Sequence, residues 1–129
     1  MVRVIPSESD EQAAVIEWAA LMTHRFPCLA LLYAIPNGAR VSWKQAKKLK
    51  REGMQAGVPD LCLPVARNGY HGLYVEMKRQ KRARSNMSQA RWQGMLQAEG
   101  YAAEVCKGAH DAIGTIFSYV TGEKSHDAA

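Results

Sequence analysis

Paired cysteines, metal-knuckle spacings and long apolar runs are all missing from this sequence. Its three cysteines (Cys28, Cys62, Cys106) stand singly, and its four histidines (His24, His71, His110, His126) are equally scattered. That pattern excludes a zinc ribbon and a disulfide-stapled secreted scaffold, and it points to reduced thiols in a cytoplasmic protein. No apolar run approaches the ~18 residues that a membrane span needs, and Met1-Val2-Arg3-Val4-Ile5-Pro6 lacks a signal-peptide core. No membrane partner is expected. Repeats, low-complexity tracts and linkers are absent too, so the 129 residues read as one domain. Its core is expected over about residues 8–120, with short tails, and it is large enough to fold without staples.

Acidic residues are scarce in the middle of the chain. Between Arg40 and Arg91 there are thirteen Lys and Arg against three acidic residues, a local net of +10 within an overall +5. Two clusters carry the excess: Lys44, Lys47, Lys48, Lys50 and Arg51, then Lys78, Arg79, Lys81, Arg82 and Arg84. A focused positive field suits a polyanion, with nucleic acid the first candidate. Lys44, Lys47, Lys48 and Arg51 stand at i, i+3, i+4 and i+7, one continuous stripe on a helix. Trp43 and Ala46 are expected to hold that helix against the body while the stripe grips phosphates.

Periodicity gives the order α, β, α, β, β, α, β, α. Ser7 caps a first helix from about residue 8 to Arg25, striped by Val15, Trp18, Ala19 and Met22, and Pro27 ends it. Leu29 to Ile35 is an apolar run of strand length. Ser42 caps a second helix that Gly53 closes. Strands over Asp60–Val65 and about Gly72–Lys78 flank an Asn68-Gly69 turn. Ser88 caps a third helix with Trp92, Met95 and Leu96 facing inward, closed by Gly100. A strand from Tyr101 to Cys106 and a helix from about Ala109 to Val120 complete an α/β fold, a mixed central sheet flanked by helices.

Two of the three acidic residues in the basic segment lie on the hairpin. Alternation puts Leu61, Leu63 and Val65 on one face, and Leu73, Val75 and Met77 on the matching face of the next strand. Asp60, Glu76 and Lys78 then share the opposite side. A strict two-residue turn at Asn68-Gly69 would set Asp60 against Met77, on the wrong face. One extra residue or a β-bulge would set it against Glu76, so an irregular hairpin is expected. Two carboxylates and a lysine at one sheet edge offer hard oxygen ligands to Mg²⁺ or Mn²⁺ and leave room for water and phosphate. Lys78 would orient the attacking water or offset charge on the phosphate oxygens.

These residues resemble the PD-(D/E)xK nuclease superfamily, Pro59-Asp60 and Glu76-Met77-Lys78 filling its signature. The sequence is most similar to one branch, the virus-type replication-repair nuclease (VRR-NUC) domain. The similarity runs through Glu8 and Gln12, Ile35-Pro36-Asn37-Gly38, Gly57-Val58-Pro59-Asp60, Gly72 to Lys78, Ser88-Gln89 and Gly100-Tyr101. It covers about Glu8 to Val120.

The resemblance implies a restriction-endonuclease-like core and a metal-dependent phosphodiesterase with Asp60 and Glu76 as ligands, Lys78 beside them and Gln89 on the site side. It also implies a helix-borne glutamate near the metal. That residue is Glu8, which forms Glu-x-x-x-Gln with Gln12, or Glu11, which is in line with Val15, Trp18 and Met22; Glu8 is preferred. Single-domain members resemble Holliday-junction resolvases, which implies a homodimer acting on branched DNA. The alternatives are a non-catalytic DNA-binding accessory and a flap or nicking nuclease. Intact Asp60, Glu76 and Lys78 weigh against the accessory role.

Overall fold

The computed structural model describes residues 4–36, 41–80 and 86–123. Helix α1 (Glu8–Met22) begins where Ser7 Oγ accepts from the Asp10 amide at 3.1 Å. A 3-10 turn over Pro27–Leu31 leads to β1 (Tyr33–Ala34). Helix α2 (Trp43–Arg51) starts on Ser42, whose side chain accepts from Gln45 N, and stops before Gly53 at φ +110°. Strands β2 (Leu61–Leu63) and β3 (Leu73–Lys78) form the hairpin. Helix α3 (Met87–Ala98), strand β4 (Ala102–Lys107) and helix α4 (Gly108–Thr121) follow.

The sheet has the order β1-β2-β3-β4. The first two pairings are antiparallel, and β3–β4 is parallel across the α3 crossover. The sheet is therefore mixed, as expected. Helices α1 and α4 cover one face. Val15, Ala19, Ala112 and Ile116 meet Leu61, Leu63, Leu73, Val75 and Met77 there, all buried. Tyr119 closes that core and donates its hydroxyl to the Val65 carbonyl at 2.6 Å.

The hairpin is irregular in the way side-chain parity requires. At its tip Asn68 (φ +53°) and Gly69 (φ +84°) make a two-residue turn closed by the Arg67–Tyr70 bridge. The ladder resumes with Leu63 opposite Leu73, leaving three residues on one side of the gap and two on the other. The extra residue is taken up at Pro64, where Val65 N donates to Leu63 O at 2.9 Å in a γ-turn. The shift keeps Leu61, Leu63, Leu73 and Val75 on the core face.

Four local expectations are corrected. The run Leu29–Ile35 is mostly not strand. Pro27 stands at the start of a 3-10 turn, which buries Leu29 and leaves Leu31 53% exposed, and β1 keeps two residues. Asn86, not Ser88, caps α3. Its side chain accepts from Gln89 N at 2.9 Å while Gln89 Oε1 accepts from Asn86 N at 3.4 Å, a reciprocal box that starts the helix earlier. Met95 is exposed, while Trp92 and Leu96 are half-buried, because the face toward the sheet runs Gln89, Trp92, Gln93, Leu96. Trp43 does not hold α2 down: it is 79% exposed, and Ala46 and Leu49 are the half-buried positions of that helix.

Candidate functional site

The β2–β3 register carries Asp60 to the position opposite Glu76, at the open end of the hairpin. Asp60 is held from both sides. Its carbonyl accepts from Ile35 N at 2.7 Å, and its Oδ2 accepts from Met77 N at 2.7 Å. The loop before it is pressed onto the start of α3. Gly57 has φ +90°, and a Cβ there would lie 2.6 Å from the Ser88 carbonyl group, so only glycine permits the approach.

Glu76, Lys78 and Gln89 form one connected group on the sheet face away from the main core. Lys78 Nζ donates to Gln89 Oε1 at 2.7 Å, Gln89 Nε2 donates to Glu76 Oε2 at 3.1 Å, and Lys78 Nζ stands 3.9 Å from Glu76 Oε2. Asp60, Glu76 and Lys78 are all buried. Burial pushes the Glu76 carboxyl up to about 8; the Asp60 charge adds to the rise and Lys78 opposes it. Two adjoining carboxylates with one partly committed lysine lack positive charge.

That shortage is the test of whether a divalent cation fits. Hard carboxylate oxygens suit Mg²⁺ or Mn²⁺, and Mg²⁺ commonly takes one or two carboxylates and completes its shell with water and phosphate. Asp60 and Glu76 meet that description. Among the described residues no group of three or more His, Cys, Asp or Glu side chains is placed to hold a metal.

The helix-borne candidates separate clearly. Glu8 is exposed, at the first position of α1, and its charge bears on Glu76. Glu11 is buried with both oxygens on Gln80 Nε2, at 3.3 and 3.2 Å. The stripe Lys44, Lys47, Lys48 and Arg51 is exposed along α2, with Lys47 Nζ 5.2 Å over the Trp43 ring. Arg79 has its guanidinium on the carbonyls of Ile5 and Pro6. Lys81, Arg82, Arg84, Asn37 and Gly38 lie outside the described residues.

Sequence reasoning missed Gln80. A glutamine directly after a strand carries no chemical signal of its own, and its partner Glu11 is 69 residues away.

A family model of the VRR-NUC domain matches residues 2–110. A solved structure of a "VRR_NUC domain protein" is similar at a TM-score of 0.77 and 31% identity, over 92% of this chain and 91% of that one. No curated protein matches the chain. Sequence match and shared fold agree, and the chain belongs to the VRR-NUC family of nuclease-type, DNA-processing domains.

Proposed function

We propose that the protein is a Mg²⁺- or Mn²⁺-dependent endonuclease that hydrolyses phosphodiester bonds in branched DNA, such as a four-way junction. The observation that carries this reading is the buried Asp60–Glu76 pair, short of positive charge and flanked by Lys78. A divalent cation bound there would offset charge building on the phosphate and make water a competent nucleophile. Asp60 and Glu76 would hold it. Lys78, fixed by Gln89, would present its ammonium to a phosphate oxygen or to the attacking water. Gln89 would keep both partners in place.

DNA would be gripped outside this centre. The exposed stripe Lys44, Lys47, Lys48 and Arg51 has the sign and continuity for backbone contact. A homodimer would set two such sites at a fixed separation about a two-fold axis, matching the symmetry of a four-way junction. A cytoplasmic location goes with this reading, on the unpaired spacing of Cys28, Cys62 and Cys106 in the sequence.

The test is cleavage of an end-labelled four-way junction beside matched flap, duplex and single-stranded DNA, with Mn²⁺ present. Paired symmetric cuts in the junction, made by a species of twice the 14.3 kDa chain mass, are expected. Faster cutting of the flap would replace the junction reading. Binding without cleavage of any substrate would make the protein an accessory.

A further inference from the structure

The two residues after Glu76-Met77-Lys78 reach across the fold to the start of α1. Arg79 Nη2 donates to the Ile5 carbonyl at 3.2 Å, and its Nε donates to the Pro6 carbonyl at 3.4 Å. Gln80 Nε2 donates to both carboxylate oxygens of Glu11. The two grips fall on either side of Glu8, one before the capping Ser7 and the other a turn further on.

The second grip is built in at a cost. Glu11 is 5% exposed and in line with Val15 and Ala19, so an apolar side chain there would extend the core stripe without desolvating a carboxylate. Room for it comes from Gly108 at φ +85°, where a Cβ would lie 2.6 Å from Glu11 Oε2 and 2.7 Å from Gln80 Cγ. A buried carboxylate answered by a neutral amide is a poor source of stability. It does fix where a helix begins.

The start of α1 needs fixing. First helical turns fray, and Glu8 stands at the first position of this one. A group that acts at a reacting centre must be held to about 0.5 Å by its supporting residues.

We infer that Arg79 and Gln80 are positioning residues, a clasp that ties the first turn of α1 to the end of β3 and so fixes from where the exposed Glu8 carboxylate can approach the Asp60–Glu76 pair. The clasp extends the Glu-x-Lys motif by two residues and gives Arg79 a role other than DNA contact. It rests on the reading of that pair as the cation site.

The test uses Arg79→Ala and Arg79→Lys, alone and with Glu8→Gln. Mn²⁺ binding to the DNA-free protein is measured by calorimetry, and junction cleavage is resolved into kcat and KM. Arg79→Ala should weaken Mn²⁺ binding about 10-fold and lower kcat about as much, as loss of an outer-shell partner does, with KM for DNA unchanged. Arg79→Lys should recover little, because one ammonium cannot span both carbonyls. Glu8→Gln should weaken Mn²⁺ binding too, and adding Arg79→Ala to it should cost nothing further.

A raised KM with kcat and Mn²⁺ affinity intact would make Arg79 a backbone contact and overturn the clasp. Additive losses in the double variant would also overturn it. Unchanged Mn²⁺ binding in Glu8→Gln would also overturn the clasp, whereas no Mn²⁺ binding by the wild type would overturn the reading of the Asp60–Glu76 pair on which the clasp depends.

Discussion

Lys78 Nζ is held by Gln89 Oε1 at 2.7 Å and stands off at 3.9 Å from Glu76. The lysine is oriented by an amide and not consumed by the carboxylate two residues before it. Because Gln89 Nε2 also donates to Glu76 at 3.1 Å, its amide has one satisfying orientation, with oxygen to the lysine and nitrogen to the glutamate.

Gln89→Ala should therefore lower cleavage by about 10- to 100-fold, the range for an outer-shell partner, without abolishing it. The same change removes half of the Asn86–Gln89 capping box and should lower stability by about 1 kcal/mol. Single-turnover rates and urea unfolding of the one variant check both. A wild-type rate would show that Gln89 serves only the helix.

Stability without metal should fall as pH rises. Glu76 is pushed up to about 8 from an ordinary 4.5, so between those values the folded protein keeps a proton that the unfolded chain releases. Its contribution is fully present below about pH 4.5 and is lost as pH rises toward about 8. Bound cation favours the ionised pair, so Mn²⁺ should raise Tm more at about pH 8 than at about pH 5. Melting curves of wild type and Glu76→Gln, with and without Mn²⁺, give the comparison. Glu76→Gln should lose both the pH slope and the Mn²⁺ gain; a wild-type Tm that climbs over this range relative to Glu76→Gln would contradict the sign.

Much of this arrangement was legible in the sequence. Alternation along Leu61–Val65 and Leu73–Met77 put Asp60, Glu76 and Lys78 on one side and required one extra residue in the hairpin, which Pro64 supplies. Local pattern failed where two local signals competed. Asn86 and Ser88 are equally good caps, and only the reciprocal bonds with Gln89 decide between them. Apolar content made Leu29–Ile35 look like strand, but backbone pairing, which depends on the neighbour β2, sets its length at two residues. Trp43 looked like a core residue by type, and exposure is a property of the fold. The Gln80–Glu11 contact joins residues with no shared pattern.

The α2 stripe makes a salt-dependence prediction. Each phosphate neutralised contributes a slope of about −0.9 to log K against log salt on duplex DNA. Changing Lys44, Lys47, Lys48 and Arg51 to Gln should flatten that slope by about 3 to 4, equally for all sequences, and leave Mn²⁺ binding alone. Trp43, 79% exposed beside Lys47, is a reporter for the same docking. Its fluorescence should change on DNA addition in the wild type and much less in the quadruple variant. An unchanged slope would move the backbone contact to another surface.

Gly57→Ala should damage the site from a distance. It strains a backbone at φ +90° and drives a methyl into the Ser88 carbonyl, at a cost of about 1–3 kcal/mol. The loop must retreat from α3, and Asp60, three residues on, moves with it. Both Tm and cleavage should drop, whereas Gly53→Ala, at φ +110° with open space around it, should lower Tm alone. Normal cleavage by Gly57→Ala would show that Asp60 is placed independently of this loop.

The most direct measurement of the central claim is the cleavage rate of a labelled four-way junction across a Mn²⁺ titration, run on wild type, Asp60→Ala and Glu76→Ala at matched DNA binding. Wild type should go from no cleavage in excess chelator to saturating cleavage with Mn²⁺, while both variants bind the junction and cut it at no Mn²⁺ concentration. Cleavage by wild type in excess chelator, or by either variant at the wild-type rate, would contradict the assignment of Asp60 and Glu76 as the metal-holding pair of a nuclease.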